Sequence, residues 1–250
     1  MSGHSKWSTI KRKKAKTDAQ RGKIFTKLIK EITIAARTGG SDENMNPALR
    51  TAIAAAKLAN MPSANIEKAI KRGTGELPGV VYENVTYEGY GPGGTALMIE
   101  VLTDNKNRTV ADIRHILSKH NGNLGESGCV AWIFEKKGII QVDANKISEE
   151  DLLELVLESG ADDIRQEDDV FEIVTQPNSF ANVKSVLKDN NIEIDSAEIT
   201  MHPKNTVKVA EKEAEKLLKL MDALEDHEDV NNIYSNFDID TEILKKIEQS

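Results

Sequence analysis

The hydrophobic pattern of this 250-residue chain changes its period near residue 79, and that change constrains the fold more than any other feature. Before it, apolar residues such as Ile24, Leu28 and Ile32 recur at the three- and four-residue spacing of helices. After it, stretches such as 80–88 and 95–102 alternate and are rich in β-branched and aromatic residues. The sequence therefore predicts an α+β chain with helices first and sheets afterwards.

Capping residues divide the first part into three short helices. The first begins near residue 21 and ends at Gly39, where a Gly-Gly pair provides a stop. Asn46 and the proline after it are typical of a helix N-cap and first helical position, and Ser63 is expected to cap the third helix. Abundant alanine favours close packing. We expect an N-terminal three-helix domain at residues 21–79, with its last four residues as a linker.

The order of the later elements predicts two α/β sandwich domains, one inserted in the other. Residues 80–135 have a β-β-α-β pattern that includes an expected strand at 129–134. Residues 136–206 follow with β-α-β-β-α-β, the ferredoxin-like split unit. The tail, 207–250, has the helix and strand that the first unit lacks. We therefore expect one domain at 80–135 plus 207–250 and an inserted, acidic, ferredoxin-like domain at 136–206.

Charge is distributed unevenly between the two ends of the chain. Up to Gly79 there are 16 basic and six acidic residues, a balance of +10, whereas the whole chain has a formal charge of -8. The remaining 171 residues therefore carry -18. A basic end on an acidic body predicts a polyanionic partner that is contacted from one side, and the inserted domain should be repelled by nucleic acid.

The basic N-terminal arm, residues 1–20, has few large apolar side chains and is expected to have little structure on its own. It is either a solvated tail or an arm that orders on phosphate, and these readings are compatible. Trp7 could stack on a base or pack on the helical domain. The residues that we expect to bind nucleic acid are Lys6, Trp7, Lys11, Arg12, Lys13, Lys14, Lys16, Arg21, Lys23, Lys27, Lys30 and Arg108.

Two further groups of cations could bind phosphate, but simple solvation at the protein surface also explains them. Arg108 lies in NKNRTVADIR, where basic residues at a helix N-terminus suit phosphate, although a solvated arginine at a helix start explains them as well. Lys57, Lys68, Lys71 and Arg72 could widen the basic surface of the helical domain, but charges on exposed helix faces usually only interact with water.

Enzymatic motifs are not supported by their context. The loop 89–94 matches G-x-G-x-x-G, but a strand follows it, which indicates a hairpin turn instead of a dinucleotide site. The histidines have no metal-binding spacing, and Cys129 has no CxxC partner, which favours core packing. We expect no enzyme activity, no cofactor and no metal. A single cysteine, no apolar run long enough to span a membrane and no secretory signal predict a cytoplasmic protein.

Three segments together resemble the YebC family, whose mitochondrial relatives are translational activators of cytochrome c oxidase. They are GHSKWSTIKRKKAKTDAQRGKIFTKLIKEI, ANMPSANIEKAIKRGTGE and YEGYGPGGTALMIEVLTDNKNRTVADIRHIL. The resemblance implies a three-domain fold, with a helical domain and two α/β domains, one inserted in the other. It implies no catalytic residue. Bacterial members are described as transcriptional regulators that bind DNA, and other members look like ribosome-associated factors that relieve stalling at proline-rich stretches.

The predicted function is that of a non-enzymatic, nucleic-acid-binding regulator of gene expression, a DNA-binding transcriptional regulator. The alternative is a translation factor associated with the ribosome and ribosomal RNA. No helix carries residues at base-reading spacings, which favours structured RNA, while the resemblance favours DNA. The expected partners are DNA or ribosomal RNA and the ribosome, without a membrane, and the chain is expected to be a monomer.

Overall fold

The structure, a computed structural model, describes residues 18–167 and 169–248. Its first part consists of three helices, α1 (Asp18–Gly39), α2 (Pro47–Leu58) and α3 (Ser63–Gly73). The three helices pack together, and the side chains of their apolar faces are buried in one core. The core includes Leu28, Ile32, Ala36, Leu49, Ile53, Ala56, Ile66 and Ala69.

Asn46 begins α2 as the sequence predicts. Its side-chain oxygen accepts a hydrogen bond from the backbone N–H of Leu49 at 3.0 Å, and Pro47 occupies the first helical position. The Asn46 amide also donates to the carbonyl of Ala35 at 2.8 Å, which ties α2 to α1. The predicted cap at Ser63 is wrong: Pro62 holds the N-cap position without a side-chain hydrogen bond, and Ser63 is the first helical residue.

Helix α3 lies against α1 at a close approach that needs glycine. A Cβ atom on Gly73 would lie 2.4 Å from the carbonyl oxygen of Thr33 in α1. One turn earlier, the Thr33 hydroxyl donates to the carbonyl of Ala69 at 3.3 Å. A side chain at position 73 would push the two helices apart, so the position of α3 on α1 depends on this contact.

Fifteen helices and strands follow within the described residues, and two short 3₁₀ turns accompany them. In chain order they are β1 (Glu83–Tyr90), β2 (Ala96–Thr103), α4 (Lys106–Lys119), β3 (Asn123–Leu124), β4 (Phe134–Asp143), α5 (Glu149–Leu157), β5 (Ala161–Glu167), β6 (Val170–Thr175), α6 (Phe180–Asp189), β7 (Ile194–Pro203), β8 (Val207–Lys208), α7 (Glu211–Glu225), β9 (Val230–Ser235), β10 (Phe237–Asp238) and α8 (Thr241–Glu248). The 3₁₀ turns are Pro92–Gly94 and Ala131–Ile133.

The first sheet has the antiparallel order β3-β1-β2-β9, so a strand from the end of the chain pairs with one from its first half. Leu97 and Ile99 of β2 point into a core that α4, α7 and the last helix complete. The opposite face of β2 carries Ala96 and Met98, which pack with Phe134 at the start of the second sheet. This strand is therefore buried on both faces.

The second sheet has the order β5-β6-β4-β7 with all neighbours antiparallel, and α5 and α6 cover one of its faces. Leu152, Phe171, Ile173 and Val183 are buried in the core between the helices and the sheet. This is the ferredoxin-like arrangement. The predicted α+β fold class is confirmed: a helical N-terminal region precedes sheet-containing domains. The predicted residue limits of the domains stay predictions.

The expected strand at 129–134 is wrong. The Ala131–Ile133 segment is a 3₁₀ turn, and β4 begins only at Phe134. The cause is the Glu88 carboxylate, which accepts hydrogen bonds from the backbone N–H groups of Val130 and Ala131 at 2.8 Å each. Because those N–H groups are already bonded, they cannot join a strand ladder.

A buried ion pair joins α1 to the first sheet. The Lys30 side chain, 5% exposed, places its Nζ 2.5 Å from Oδ1 of Asp229 and donates to the carbonyl of Glu228 at 3.1 Å. The other Asp229 oxygen accepts from Arg108 Nη2 at 2.8 Å and from the Thr109 hydroxyl at 2.7 Å. Burial raises the pKa of Asp229, but the hydrogen bonds from Lys30, Arg108 and Thr109 outweigh it, and the net pKa lies well below its ordinary value.

Replacing Asp229 by asparagine should strongly destabilise the protein. Asp229→Asn leaves the Lys30 ammonium buried without a counter-charge, and breaking a buried pair in this way costs about 3–5 kcal/mol. Chemical denaturation at pH 7 measures the free energy of unfolding. The matched control is Lys23→Ala, which removes an exposed pair with Asp226 (3.2 Å) from the same helix and should cost less than ~1 kcal/mol. Equal losses in the two variants would contradict this role of Asp229.

The stability of the protein should fall in mildly acidic solution because of His202. This imidazole is 8% exposed on β7, opposite Glu135 of β4, and burial together with the Arg165 charge lowers its pKa from 6.5 to about 4. Above pH 6.5 the folded and unfolded chains both hold it neutral. Below pH 6.5 the unfolded chain takes up a proton that the folded chain does not, so the free energy of unfolding falls by up to ~1.4 kcal/mol per pH unit until about pH 4.

The measurement is urea unfolding of the protein and of His202→Gln between pH 7.5 and 5. Other groups titrate in both proteins, so the difference between the two curves isolates His202. It should be flat above pH 6.5 and change below it. A constant difference over the whole range would show that His202 titrates normally in the folded protein.

Candidate nucleic-acid interface

Helix α3 presents a positively charged face to solvent. Lys68, Lys71 and Arg72 are all exposed, and their spacing of three and four residues places them on one side of the helix. The opposite side carries Ile66 and Ala69, which are buried against α1 and α2. We call the three cations the α3 cationic face. Packing of the apolar side fixes the direction in which they point.

Within the described residues, none of the cations of this face forms an ion pair, although the exposed Glu67 lies one helical turn before Lys71. Among the residues that the structure describes, no carboxylate oxygen lies within 4.0 Å of the α3 cationic face, nor of Arg37 or Lys57. In the sheet-containing part, by contrast, Lys106 lies 2.6 Å from Glu83 and Lys137 lies 2.8 Å from Asp162. The charge of the α3 cationic face is therefore available to a ligand.

Most of the residues that the sequence assigned to nucleic-acid binding lie outside the described residues or within α1. Arg21 belongs to α1. The residues outside the described part of the chain are Lys6, Trp7, Lys11, Arg12, Lys13, Lys14 and Lys16. Their assignment to nucleic-acid binding stays a prediction.

The expected basic face of Lys23, Lys27 and Lys30 on α1 is largely engaged in contacts within the protein. Lys23 is exposed but paired with Asp226, and the Lys27 ammonium donates to the carbonyl of Glu225 at 2.9 Å. Lys30 is buried, so its expected exposure is wrong. The physical reason is that the C-terminal end of α7 and the turn after it offer carbonyl oxygens and carboxylates to this side of α1. We assign Lys30 a structural role.

Arg108 is also used within the protein. Its guanidinium donates to Asp104 at 3.0 Å and to Asp229 at 2.8 Å, although the side chain is still 42% exposed. The N-terminus of α4 is capped by Asn105, whose side-chain oxygen accepts from the backbone N–H of Arg108 at 3.1 Å. Two carboxylates and a filled cap make this helix end unattractive to phosphate. We leave Arg108 out of the proposed interface.

The glycine-rich loop is a hairpin connection. The Pro92–Gly94 turn joins β1 to β2. Gly93 lies close to Val209, because a Cβ atom added at Gly93 would be 3.4 Å from Val209 Cγ1. A strand follows the loop in the chain, and the first turn of α7 packs against the loop, with Glu213 Cβ 3.9 Å from the position of a Cβ at Gly93. Over the described ranges, 18–167 and 169–248, no group of three or more His, Cys, Asp or Glu side chains is placed to hold a metal ion. No described helix has the length and apolar character needed to cross a membrane.

The residues of the α3 cationic face are not among those that the sequence predicts to bind nucleic acid, although they could widen the basic surface. The signal was present in NIEKAIKR, where the basic residues keep helical register opposite Ile66 and Ala69. What the sequence could not show is that these cations form no ion pair within the described residues, which depends on tertiary structure.

Two family models match the chain. The TACO1/YebC protein N-terminal domain matches residues 5–76, and the TACO1/YebC second and third domain matches residues 82–237. The chain is 57% identical over 248 residues to a "Probable transcriptional regulatory protein" of Syntrophobacter fumaroxidans, covering 99% of this chain and 100% of the relative. A protein of Dictyoglomus turgidum with the same description is 58% identical with the same coverage.

A solved structure has the same fold. The crystal structure of a conserved hypothetical protein from Aquifex aeolicus superposes with a TM-score of 0.77 at 52% sequence identity, covering 93% of this chain and 96% of that one. Both family models and the relatives over nearly the full length agree with the arrangement of helices and sheets described above. The chain therefore belongs to the TACO1/YebC family.

Proposed function

We propose that this protein is a non-enzymatic, cytoplasmic regulator of gene expression that binds DNA as a transcriptional regulator. The observation that carries the proposal is the α3 cationic face, three exposed cations on one side of the helix, none of which forms an ion pair with a described carboxylate. The names of the relatives, "Probable transcriptional regulatory protein", support a regulatory role. The basic arm before α1 adds further positive charge at the same end of the chain.

Charge determines how such a protein approaches its ligand. Residues 1–79 carry a balance of +10 and the rest of the chain -18. A polyanion attracts the first part and repels the second, so the helical domain leads and the carboxylate-rich stretch 148–172 of the ferredoxin-like part points away. Contacts from lysine and arginine to phosphates release counterions, and affinity should therefore fall steeply as salt is added.

A second candidate is binding to structured RNA, as in a ribosome-associated translation factor that relieves stalling at proline-rich sequences. The α3 cationic face provides charges that can contact phosphates. Of the residues near it on the helix, Ala64 has no polar side chain, and Asn65 has an amide that could read a base edge. Phosphate contacts position a protein without reading sequence. Folded RNA can be recognised by its shape, and such recognition needs phosphate contacts but no contact that reads a base edge.

Reversing the α3 cationic face should reduce binding and its dependence on salt. In the variant Lys68→Glu/Lys71→Glu/Arg72→Glu, three phosphate contacts are lost. The slope of log K against log salt concentration for duplex DNA should become shallower by about 2–3, since each contact contributes about 0.9. Fluorescence anisotropy of a labelled duplex and of a labelled RNA hairpin, between 50 and 200 mM salt, measures the slope.

The matched control is Lys212→Glu/Lys216→Glu/Lys219→Glu on α7, which changes the net charge by the same amount on an exposed face of the acidic body. It should leave the salt slope unchanged. Equal effects from both triple variants would mean that net charge alone, and not the α3 cationic face, determines binding. Charge reversal of residues 11–14 in the same assay measures the contribution of the arm.

Crosslinking in cells, followed by sequencing of the bound DNA and RNA, separates the two candidates. We expect enrichment of promoter DNA for a transcriptional regulator. Recovery of ribosomal RNA without promoter enrichment would reject the transcriptional role in favour of the second candidate. The α3 charge-reversal variant serves as the comparison, because it should recover less of either nucleic acid.

A further inference from the structure

Trp132 is an exposed aromatic residue whose polar edge is already bonded inside the protein. Its side chain lies on the 3₁₀ turn Ala131–Ile133 and is 63% exposed. The indole Nε1–H donates to the carbonyl of Cys129 at 3.0 Å, and the Tyr90 hydroxyl donates to the same oxygen at 3.1 Å. What Trp132 offers to solvent is therefore mainly the surface of its ring.

The loop that carries Trp132 is held in place by a buried carboxylate. Glu88 accepts hydrogen bonds from the backbone N–H groups of Gly128 at 2.7 Å and of Val130 and Ala131 at 2.8 Å each. Burial raises the pKa of Glu88, but these three hydrogen bonds outweigh it, so the net pKa lies below its ordinary value. The carboxylate stays ionised at neutral pH, and the ring of Trp132 is ordered before any ligand arrives.

A cation is bonded to the backbone of the residue that carries the exposed ring. The Lys204 ammonium donates to the carbonyl of Trp132 at 3.2 Å, and the Lys204 backbone N–H bonds to the carbonyl of Ile133 at 2.9 Å. Lys204 is exposed, and within the described part of the chain no carboxylate lies within 4.0 Å of its ammonium. An ordered, exposed ring thus belongs to the same residue whose backbone carbonyl binds a cation without an ion-pair partner among the described residues.

We propose that Trp132 is a stacking platform for an unpaired base of the nucleic-acid partner, with Lys204 contacting the adjoining phosphate. An aromatic ring next to a cation is how proteins hold single strands, because every base has a face that can stack. A base inside a duplex is already stacked and cannot reach the ring. The partner must therefore contain an unpaired base in a loop, a bulge or an end. This inference rests on the proposed function and narrows its ligand.

The test uses the full chain with Trp7→Phe, so that Trp132 is the only one of the two tryptophans left to fluoresce. Two labelled probes are titrated, a 12-nucleotide single strand and the blunt duplex of the same sequence. Binding is followed by anisotropy of the probe and by tryptophan fluorescence. Stacking should quench Trp132 with the single strand, at the concentration where anisotropy rises, and leave its emission unchanged with the duplex.

Substitution at position 132 gives the second readout. Trp132→Ala should weaken single-strand binding by about 5- to 150-fold, the range that loss of one stacked base produces, and leave duplex binding unchanged. Trp132→Phe should recover part of that loss. The matched control is Leu157→Ala, which removes another exposed apolar side chain (48% exposed) from α5 and should have no effect. Circular dichroism establishes that each variant is folded.

The outcomes separate this inference from the proposed function. Binding of both probes without quenching, with Trp132→Ala equal to the parent protein, overturns the stacking platform and leaves nucleic-acid binding intact. Failure of the parent protein to bind either probe at low salt overturns the proposed function, and the inference with it. Quenching by the single strand with selective weakening in Trp132→Ala supports both.

Discussion

The buried pair of Lys30 and Asp229 determines how the helical domain sits on the rest of the molecule. The Asp229 carboxylate accepts hydrogen bonds from three side chains: Lys30 of α1, and Arg108 and Thr109 of the first turn of α4. A buried charge without a partner is costly, so α1 cannot slide along the first sheet without breaking this set. Because α3 packs on α1 through the close contact at Gly73, the same pair indirectly fixes where the α3 cationic face points.

Local chemistry explains why much of the fold could be predicted from sequence. Asn46 caps α2, and Ser148 caps α5 by accepting from the backbone N–H of Asp151 at 3.1 Å, each within three residues of its partner. Helical and alternating periods likewise depend on near neighbours. The strand expected at 129–134 failed for the opposite reason: Glu88, about forty residues earlier, takes the N–H groups that a strand would need. Two-residue pairings such as β8 with β10 leave no periodic signal at all.

The candidate site was harder to predict than the fold, because helical spacing cannot show what a helix face meets. Lys23, Lys27 and Lys30 share one side of α1, just as Lys68, Lys71 and Arg72 share one side of α3. The first set meets the end of α7 and the turn after it, some two hundred residues further along the chain, whereas the second meets no described carboxylate. Only tertiary structure distinguishes a lysine that holds domains together from one that can hold a phosphate.

Acidic residues have two roles in this protein, and both bear on recognition. Those on the surface of the ferredoxin-like part would repel the proposed polyanionic partner. Asp229 and Glu88 are instead buried: one is neutralised by side-chain cations and positions the α3 cationic face, and the other is bonded by backbone N–H groups and orders the ring of Trp132. The proposed phosphate contact, the α3 cationic face, and the proposed base contact, Trp132, belong to different parts of the chain. A ligand that satisfies both would have to present an unpaired base as well as a phosphate backbone, so the shape of the nucleic acid could supply the specificity that the α3 residues do not.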